Sequence, residues 1–327
     1  MKLCRQLAEA IGAGESPLIP KIFEALINDD EARVLLAAAP PATTEELAKK
    51  TRLSADTIKA MTKSLFNKGL IFKAQKGGEL KFYRVKNIPQ MHDSTSLTPG
   101  ISREILDIWK EYMSKEWPEY GRIAMEFMPG SIMRVVPVNE GIKPESRILA
   151  YDDVVKIIEN AKTLSVTKCS CRVIDGACGK PLEVCMQVDR AAEYNIERGT
   201  ERTLSKSEAM EIVKKCEEEG LVHVVDNRQV VGHVICNCCK DCCLNWSIMK
   251  GQKKWVAPSR FEAVVDSDLC AGCEACLERC FYDALAVKDD LASVNAEKCL
   301  GGGVCTVSCP TEAIKLKEVR AADFVPI

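Results

Sequence analysis

Four cysteines spaced Cys270-x2-Cys273-x2-Cys276-x3-Cys280 recur 29 residues later as Cys299, Gly302, Cys305 and Cys309. The flanks recur with them: Val265 matches Val294, Asp283-Ala284-Leu285 matches Glu312-Ala313-Ile314, and Val287 matches Leu316. A duplicated segment with thiols at fixed intervals must fold so that those thiols either pair as disulfides or share a metal. The chain carries 18 cysteines in 327 residues, and 17 of them lie from position 169 onward. Disulfides persist in oxidising compartments, yet the opening MKLCRQLAEAIGAGE lacks the apolar core of a secretory signal. No stretch approaches the ~18 apolar residues of a membrane span. The sequence therefore predicts a cytoplasmic protein whose thiolates bind metal. With 46% apolar and 28% charged residues, it has enough chain for two or three globular domains.

The repeat resembles that of bacterial-type ferredoxins with two [4Fe–4S] clusters. In such proteins three closely spaced cysteines hold one cluster and the fourth crosses to the other. The resemblance implies that cluster I takes Cys270, Cys273, Cys276 and Cys309, and that cluster II takes Cys299, Cys305 and Cys280. Two positions depart from the pattern. Phe281 follows Cys280 where Pro310 follows Cys309, and Gly302 stands where cluster II expects a cysteine. The second cluster is thus expected as [3Fe–4S], as a [4Fe–4S] cluster with one iron open to water, substrate or another side chain, or as absent. Asp266, Asp268, Glu274, Glu278, Asp283, Asp289 and Asp290 give this segment an acidic surface able to steer a basic redox partner.

Residues 118–256 hold a second group of thiols. TLSVTKCSCR and VVGHVICNCC each read as an apolar strand entering Cys-x-Cys, so Cys169 with Cys171, and Cys236 with Cys238, are expected to share a face. A helix beginning near Cys239 would align Cys239, Cys242 and Cys243. Cys178 and Cys185 are expected in a loop reaching back over the first pair. These nine thiols predict one or two further iron–sulfur clusters, with zinc as the alternative. The run Cys238-Cys239-x2-Cys242 also resembles part of the cysteine-rich modules of heterodisulfide-reductase-type proteins. Arg172 is placed to donate to cluster sulfur. Cys4, Cys216, His223 and His233 read as structural residues.

The front of the chain is basic, with a balance of +5 over residues 1–90 against −7 for the remainder. PKIFEALINDDEARVLLAAA reads as one helix, and Thr43 to Glu46 as a capping box opening the next. A break at Arg52-Leu53 precedes a helix capped by Ser54, and strands flank Lys76-Gly77-Gly78-Glu79. The order resembles a winged helix-turn-helix, which implies that Ser54–Lys68 could lie in a DNA groove with Lys59, Lys63 and Lys68 near phosphates.

The expected architecture is α+β and multidomain. It comprises a winged helix over 1–90, a connecting helix over 91–117, a cysteine-rich α/β domain over 118–256 and a ferredoxin-like dicluster domain over 257–327. The whole resembles a family of 4Fe–4S proteins of anaerobic bacteria and archaea with that domain order. Three functions follow as expectations. The first is electron transfer through [4Fe–4S] clusters, alone or as an oxidoreductase subunit with a redox partner protein. The second is redox-sensing transcription control through DNA, and the third is reduction of a substrate held at an open-site cluster. No GxGxxG, P-loop or Ser/His/Asp arrangement is present.

Overall fold

The computed structural model describes residues 2–249 and 255–327, so residues 250–254 of the expected central domain lie outside the described residues. The chain mixes helix and sheet and divides into two compact units. Residues 1–120 with 170–176 form the first, and 121–169 with 177–327 form the second.

The first unit is helical apart from a hairpin. The segment expected as one helix from Pro20 is two, Ile19–Leu26 and Asp29–Ala37. Asn28 divides the helix: its side chain accepts from the Glu31 N–H while Glu31 reaches back to the Asn28 N–H, a reciprocal cap that starts a new helix. Thr43 and Glu46 cap the helix Thr44–Thr51 in the same manner, and Arg52 closes it in the left-handed conformation. Ser54 caps Ala55–Asn67, which buries Ile58, Thr62, Leu65 and Phe66. Lys59, Lys63 and Asn67 are exposed on that helix, whereas the Lys68 ammonium is held by the buried carboxylate of Glu31 at 2.8 Å. Strands β1 (Ile71–Lys76) and β2 (Glu79–Arg84) pair antiparallel across Gly77-Gly78, both at positive φ. Residues 91–117 are broken between helices, chiefly Ile88–Thr95 and Arg103–Lys115. Trp109 of the second donates to the Thr95 hydroxyl at 3.1 Å.

The second unit is built on a seven-stranded sheet. Its strands are β3 (Met133–Val136), β4 (Leu164–Lys168), β5 (Glu183–Val188), β6 (Arg202–Thr203), β7 (Val222–Asp226), β8 (Val234–Cys238) and β9 (Val256–Ala257). The order is β6-β4-β5-β8-β7-β3-β9, antiparallel except for β3 with β9. Helices Val154–Asn160 and Lys206–Glu218 contribute Ile157, Ile158, Ala209 and Val213 to a core with Val166, Met186, Val188, Val225 and Ile235. The helix Lys206–Glu218 opens with the Ser205–Glu208 capping box.

Four shorter strands complete the unit: β10 (Phe261–Val265), β11 (Leu285–Lys288), β12 (Leu291–Val294) and β13 (Ile314–Glu318). β10 pairs with β13 and β11 with β12, so the outer strands of the repeat pair together, as do the inner ones. Arg260, 1% exposed at the head of β10, forms ion pairs with Asp152 and Glu318. These ties fix the small strands against the loop that leads into helix Val154–Asn160.

Candidate metal centres

The 29-residue repeat is legible in the backbone. Gly272 and Gly301, Glu274 and Gly303, and Asp283 and Glu312 are equivalent pairs, and all six residues take positive φ. Each copy turns through the first two points, enters a short helix, Ala275–Arg279 or Val304–Val307, and turns again at Asp283 or Glu312. Gly272 has a steric reason as well, since a Cβ there would stand 2.7 Å from the Asp290 backbone.

These turns enclose two cavities. One, of about 310 Å³, is lined by Cys270, Cys273, Cys276 and Cys309. The other, of about 340 Å³, is lined by Cys280, Cys299 and Cys305 with Gly302 and Tyr282. The fourth cysteine of each copy thus faces the cavity of the other copy. The two sites differ in depth. Cys273 is exposed at the first, whereas Cys299 and Cys305 are buried at the second. Gly302 lies against the large sheet, where a Cβ would meet Val222 at 3.5 Å and Val135 at 3.6 Å.

The electrostatics suit a cation bound among these thiols. Burial pushes Cys276, Cys299 and Cys305 above the ordinary thiol value, and the Cys280 thiolate adds to the rise at Cys299 and Cys305. Burial acts upward on Cys309 too, but the Ile314 and Ala313 amides and the Thr311 hydroxyl and amide together outweigh it and leave that thiol lowered. Thiols that resist joint ionisation become thiolates once a metal supplies positive charge. The Ala292 N–H donates to Cys270 Sγ and the Ala284 N–H to Cys280 Sγ, each at 3.4 Å. Such amide–sulfur bonds stabilise cluster thiolates and set their potential. Soft thiol ligands from both copies around each cavity and amide donors aimed at their sulfurs fit an iron–sulfur cluster.

The central thiols are arranged otherwise than their spacing suggests. β4 ends at Lys168, and Cys171 sits in the helix Ser170–Asp175 of the first unit while Cys169 belongs to the second. Their strand-face relation is therefore absent: the chain leaves the sheet as soon as the Cys169 N–H bonds to the Leu182 carbonyl. Arg172 is buried in that same helix. Cys185 is in β5 and not in the loop, and Cys236 and Cys238 are both on β8 as expected. No helix begins at Cys239. The segment turns, and the helix Leu244–Met249 starts after Cys243. The turn nevertheless brings Cys239 and Cys242 Sγ to 3.1 Å, and Cys178 Sγ lies 3.7 Å from Cys239. Among the described residues these three thiols form a group with every Sγ within 4.8 Å. Cys216, which spacing alone sets apart, is fully buried in the apolar cluster that contains Cys239, with Cys178 and Cys242 packed against it. His223 is a structural histidine, its Nδ1 2.6 Å from Asn237 Oδ1 and its Nε2 3.2 Å from Glu217.

Comparison with known proteins singles out the repeat. Residues 292–315 match the 4Fe–4S binding domain model. Over 48 residues the chain is 40% identical to a subunit of the ion-translocating oxidoreductase complex of Methanosarcina acetivorans, covering 15% of this chain and 18% of that one. Over 50 residues it is 40% identical to an uncharacterized ferredoxin of Methanocaldococcus jannaschii, covering 15% of this chain and 33% of that one. This is an iron–sulfur protein. The matched stretches support at least one 4Fe–4S cluster and electron transfer in general, while the chain spans a third or less of the length of these relatives. No solved structure matches the chain. No helix among the described residues is long and apolar enough to cross a membrane.

One residue at the second cavity has no counterpart in the cysteine pattern. Tyr282 lines it, and its hydroxyl is buried with no hydrogen-bond partner. Burial and then the thiolates of Cys280, Cys299, Cys238 and Cys305 push that phenol well above its usual value. Spacing could not reveal it, because its position depends on Trp246, whose ring packs edge-on against Tyr282 (5.6 Å) and Phe281 (6.3 Å). That contact also gives Phe281 a packing role where the other copy carries Pro310.

Proposed function

We propose that the chain is an iron–sulfur electron-transfer protein, or the electron-transfer subunit of an oxidoreductase, with two unlike cluster sites. Cys270, Cys273, Cys276 and Cys309 would hold a [4Fe–4S] cluster at site I, and Cys280, Cys299 and Cys305 a second cluster at site II. The observation that carries this reading is the crossed lining of the two cavities, each walled by thiols from both copies of the repeat. A bound cluster supplies one-electron transfer with little change of geometry, at a potential set by hydrogen bonds and burial. The protein's part is to supply thiolates, to aim amides at them and to shield site II from water. Site I, with Cys273 exposed among the exposed carboxylates of Glu274, Glu278, Asp289 and Asp290, is the port for a basic redox partner. Anaerobic purification with iron and sulfide determination and EPR tests the reading. Fewer than about four irons per chain would refute it.

A separate observation supports a third metal site. Sulfur separations of 3.1 and 3.7 Å at Cys178, Cys239 and Cys242 approach the ~3.8 Å edge that a tetrahedral ion at about 2.3 Å from each thiolate would impose. A single ion such as zinc is favoured there over a cluster, and zinc analysis of wild type against Cys239→Ala decides. The helices Asp29–Ala37, Thr44–Thr51 and Ala55–Asn67 with the hairpin β1–β2 are proposed as a winged helix on the strength of their order and caps.

A further inference from the structure

Gly302 is not a glycine for the sake of its backbone. Its neighbours Gly301 and Gly303 take positive φ, as Gly272 and Glu274 do around Cys273, but Gly302 itself does not, so its conformation is open to any residue. What restricts it is the space in front of it. A Cβ at 302 would lie 3.3 Å from the Tyr282 hydroxyl, closer than to any other atom. The one cysteine missing from the repeat and the one orphaned hydroxyl of the cavity therefore face each other. A buried hydroxyl without a hydrogen-bond partner is costly and uncommon, and its presence calls for a group that satisfies the oxygen. The hydroxyl shares its cavity with the three thiols of site II and is held there by Trp246 and Phe281 packing on its ring.

We propose that Tyr282 Oη is the fourth protein ligand of the cluster at site II, occupying the corner that Gly302 leaves without a thiolate. The proposal rests on the cluster assignment above and adds an oxygen ligand to it. On binding, the phenolic O–H bond breaks, an iron–oxygen bond forms and the proton leaves to solvent; no electron is transferred. Tyrosine oxygen is an established protein ligand to iron, as at the haem of catalase. A phenolate restores the negative charge that the missing thiolate would have supplied, and its hard oxygen distinguishes one iron from the three bound by sulfur. Glycine at 302 follows from this arrangement, since a cysteine there would compete with the tyrosine for the same volume.

The test compares anaerobically purified full-length wild type, Tyr282→Phe, Cys238→Ala and the double variant Tyr282→Phe/Gly302→Cys by iron content, EPR and Mössbauer spectroscopy. Tyr282→Phe removes only the unsatisfied hydroxyl, so the ring keeps its contact with Trp246. The expected result is that wild type shows one iron with an oxygen ligand and that Tyr282→Phe loses about one iron per chain, with an oxidised three-iron EPR signal appearing. Cys238→Ala leaves site II as in wild type, and the double variant regains the iron with sulfur coordination throughout. Three outcomes overturn the proposal: a three-iron cluster already in wild type, unchanged iron and Mössbauer spectra in Tyr282→Phe with only a shifted potential, or loss of the site II iron in Cys238→Ala instead. Absence of the site I cluster from wild type would refute the ferredoxin assignment itself and remove the ground for this one.

Discussion

The two halves of the repeat share spacing, left-handed turns and short helices, yet they build different sites. Site I is complete in thiolate and open to solvent at Cys273. Site II is lined by three thiols with Gly302 and Tyr282, and Gly302 there lies beside Val135 of β3 and Val222 of β7. The backbone repeat sets the cavity, and the surface against which each copy packs sets its chemistry. A copy facing water can keep an exposed cysteine and acidic residues. A copy facing a sheet loses that exposure and receives an aromatic side chain instead.

The largest effects are expected where the copies exchange ligands. Cys309→Ala should empty site I although Cys309 belongs to the second copy, and Cys280→Ala should empty site II, each removing about four irons or fewer per chain and a different EPR signal. If each variant instead disturbed the site of its own copy, the crossed arrangement would be wrong. Next in size is the brace between the small strands and the rest of the unit. Asp152→Ala removes one of the two carboxylates paired with the buried Arg260, leaving Glu318 as its counter-ion, and should cost about 1.5–3 kcal/mol in denaturant unfolding. It should also labilise the cluster at site II, which faces the sheet, before that at site I.

A smaller contrast concerns the metal-free chain. Cys309 is lowered and Cys273 is exposed, whereas Cys305 is buried and raised. Alkylation should therefore reach Cys273 and Cys309 roughly tenfold or more ahead of Cys305, a gap that narrows as pH rises and the buried thiol ionises. Equal rates would deny the difference in depth. Smallest of all, Glu278→Gln with Asp289→Asn should slow reduction by a cationic viologen a few-fold at low salt and leave it unchanged at high salt. An effect that persists at high salt would point to altered structure and not to steering.

How much of this the sequence reveals follows from what spacing can encode. The grouping of Cys270, Cys273 and Cys276, and of Cys299 and Cys305, is legible because it is local to the turns at Gly272, Glu274, Gly301 and Gly303, whereas the placing of Cys280 and Cys309 in the other copy's cavity comes from the resemblance and not from spacing. The Thr43, Ser54 and Ser205 caps are legible for the same reason. The helix from Pro20 reads through Asn28 because apolar periodicity continues across the break, while the cap that divides it is a single side chain. Central thiols are harder. Cys-x-Cys shares a face only while the strand lasts, and β4 ends at Lys168 but β8 continues through Cys238. Cys239 and Cys242 meet through a turn instead of a helix, and Cys216 reaches their neighbourhood from a helix that spacing cannot place. Tyr282 is invisible because its role arises from the approach of Trp246 and Gly302, both distant from it in the chain.

The central claim is that one sequence repeat makes two inequivalent iron–sulfur sites. Mössbauer spectroscopy of the anaerobically purified full chain, with iron and sulfide counted on the same sample, tests it most directly. The account predicts one cluster bound entirely through sulfur together with a second in which one iron has a non-sulfur ligand. Two indistinguishable all-thiolate clusters, or fewer than about four irons per chain, would contradict it.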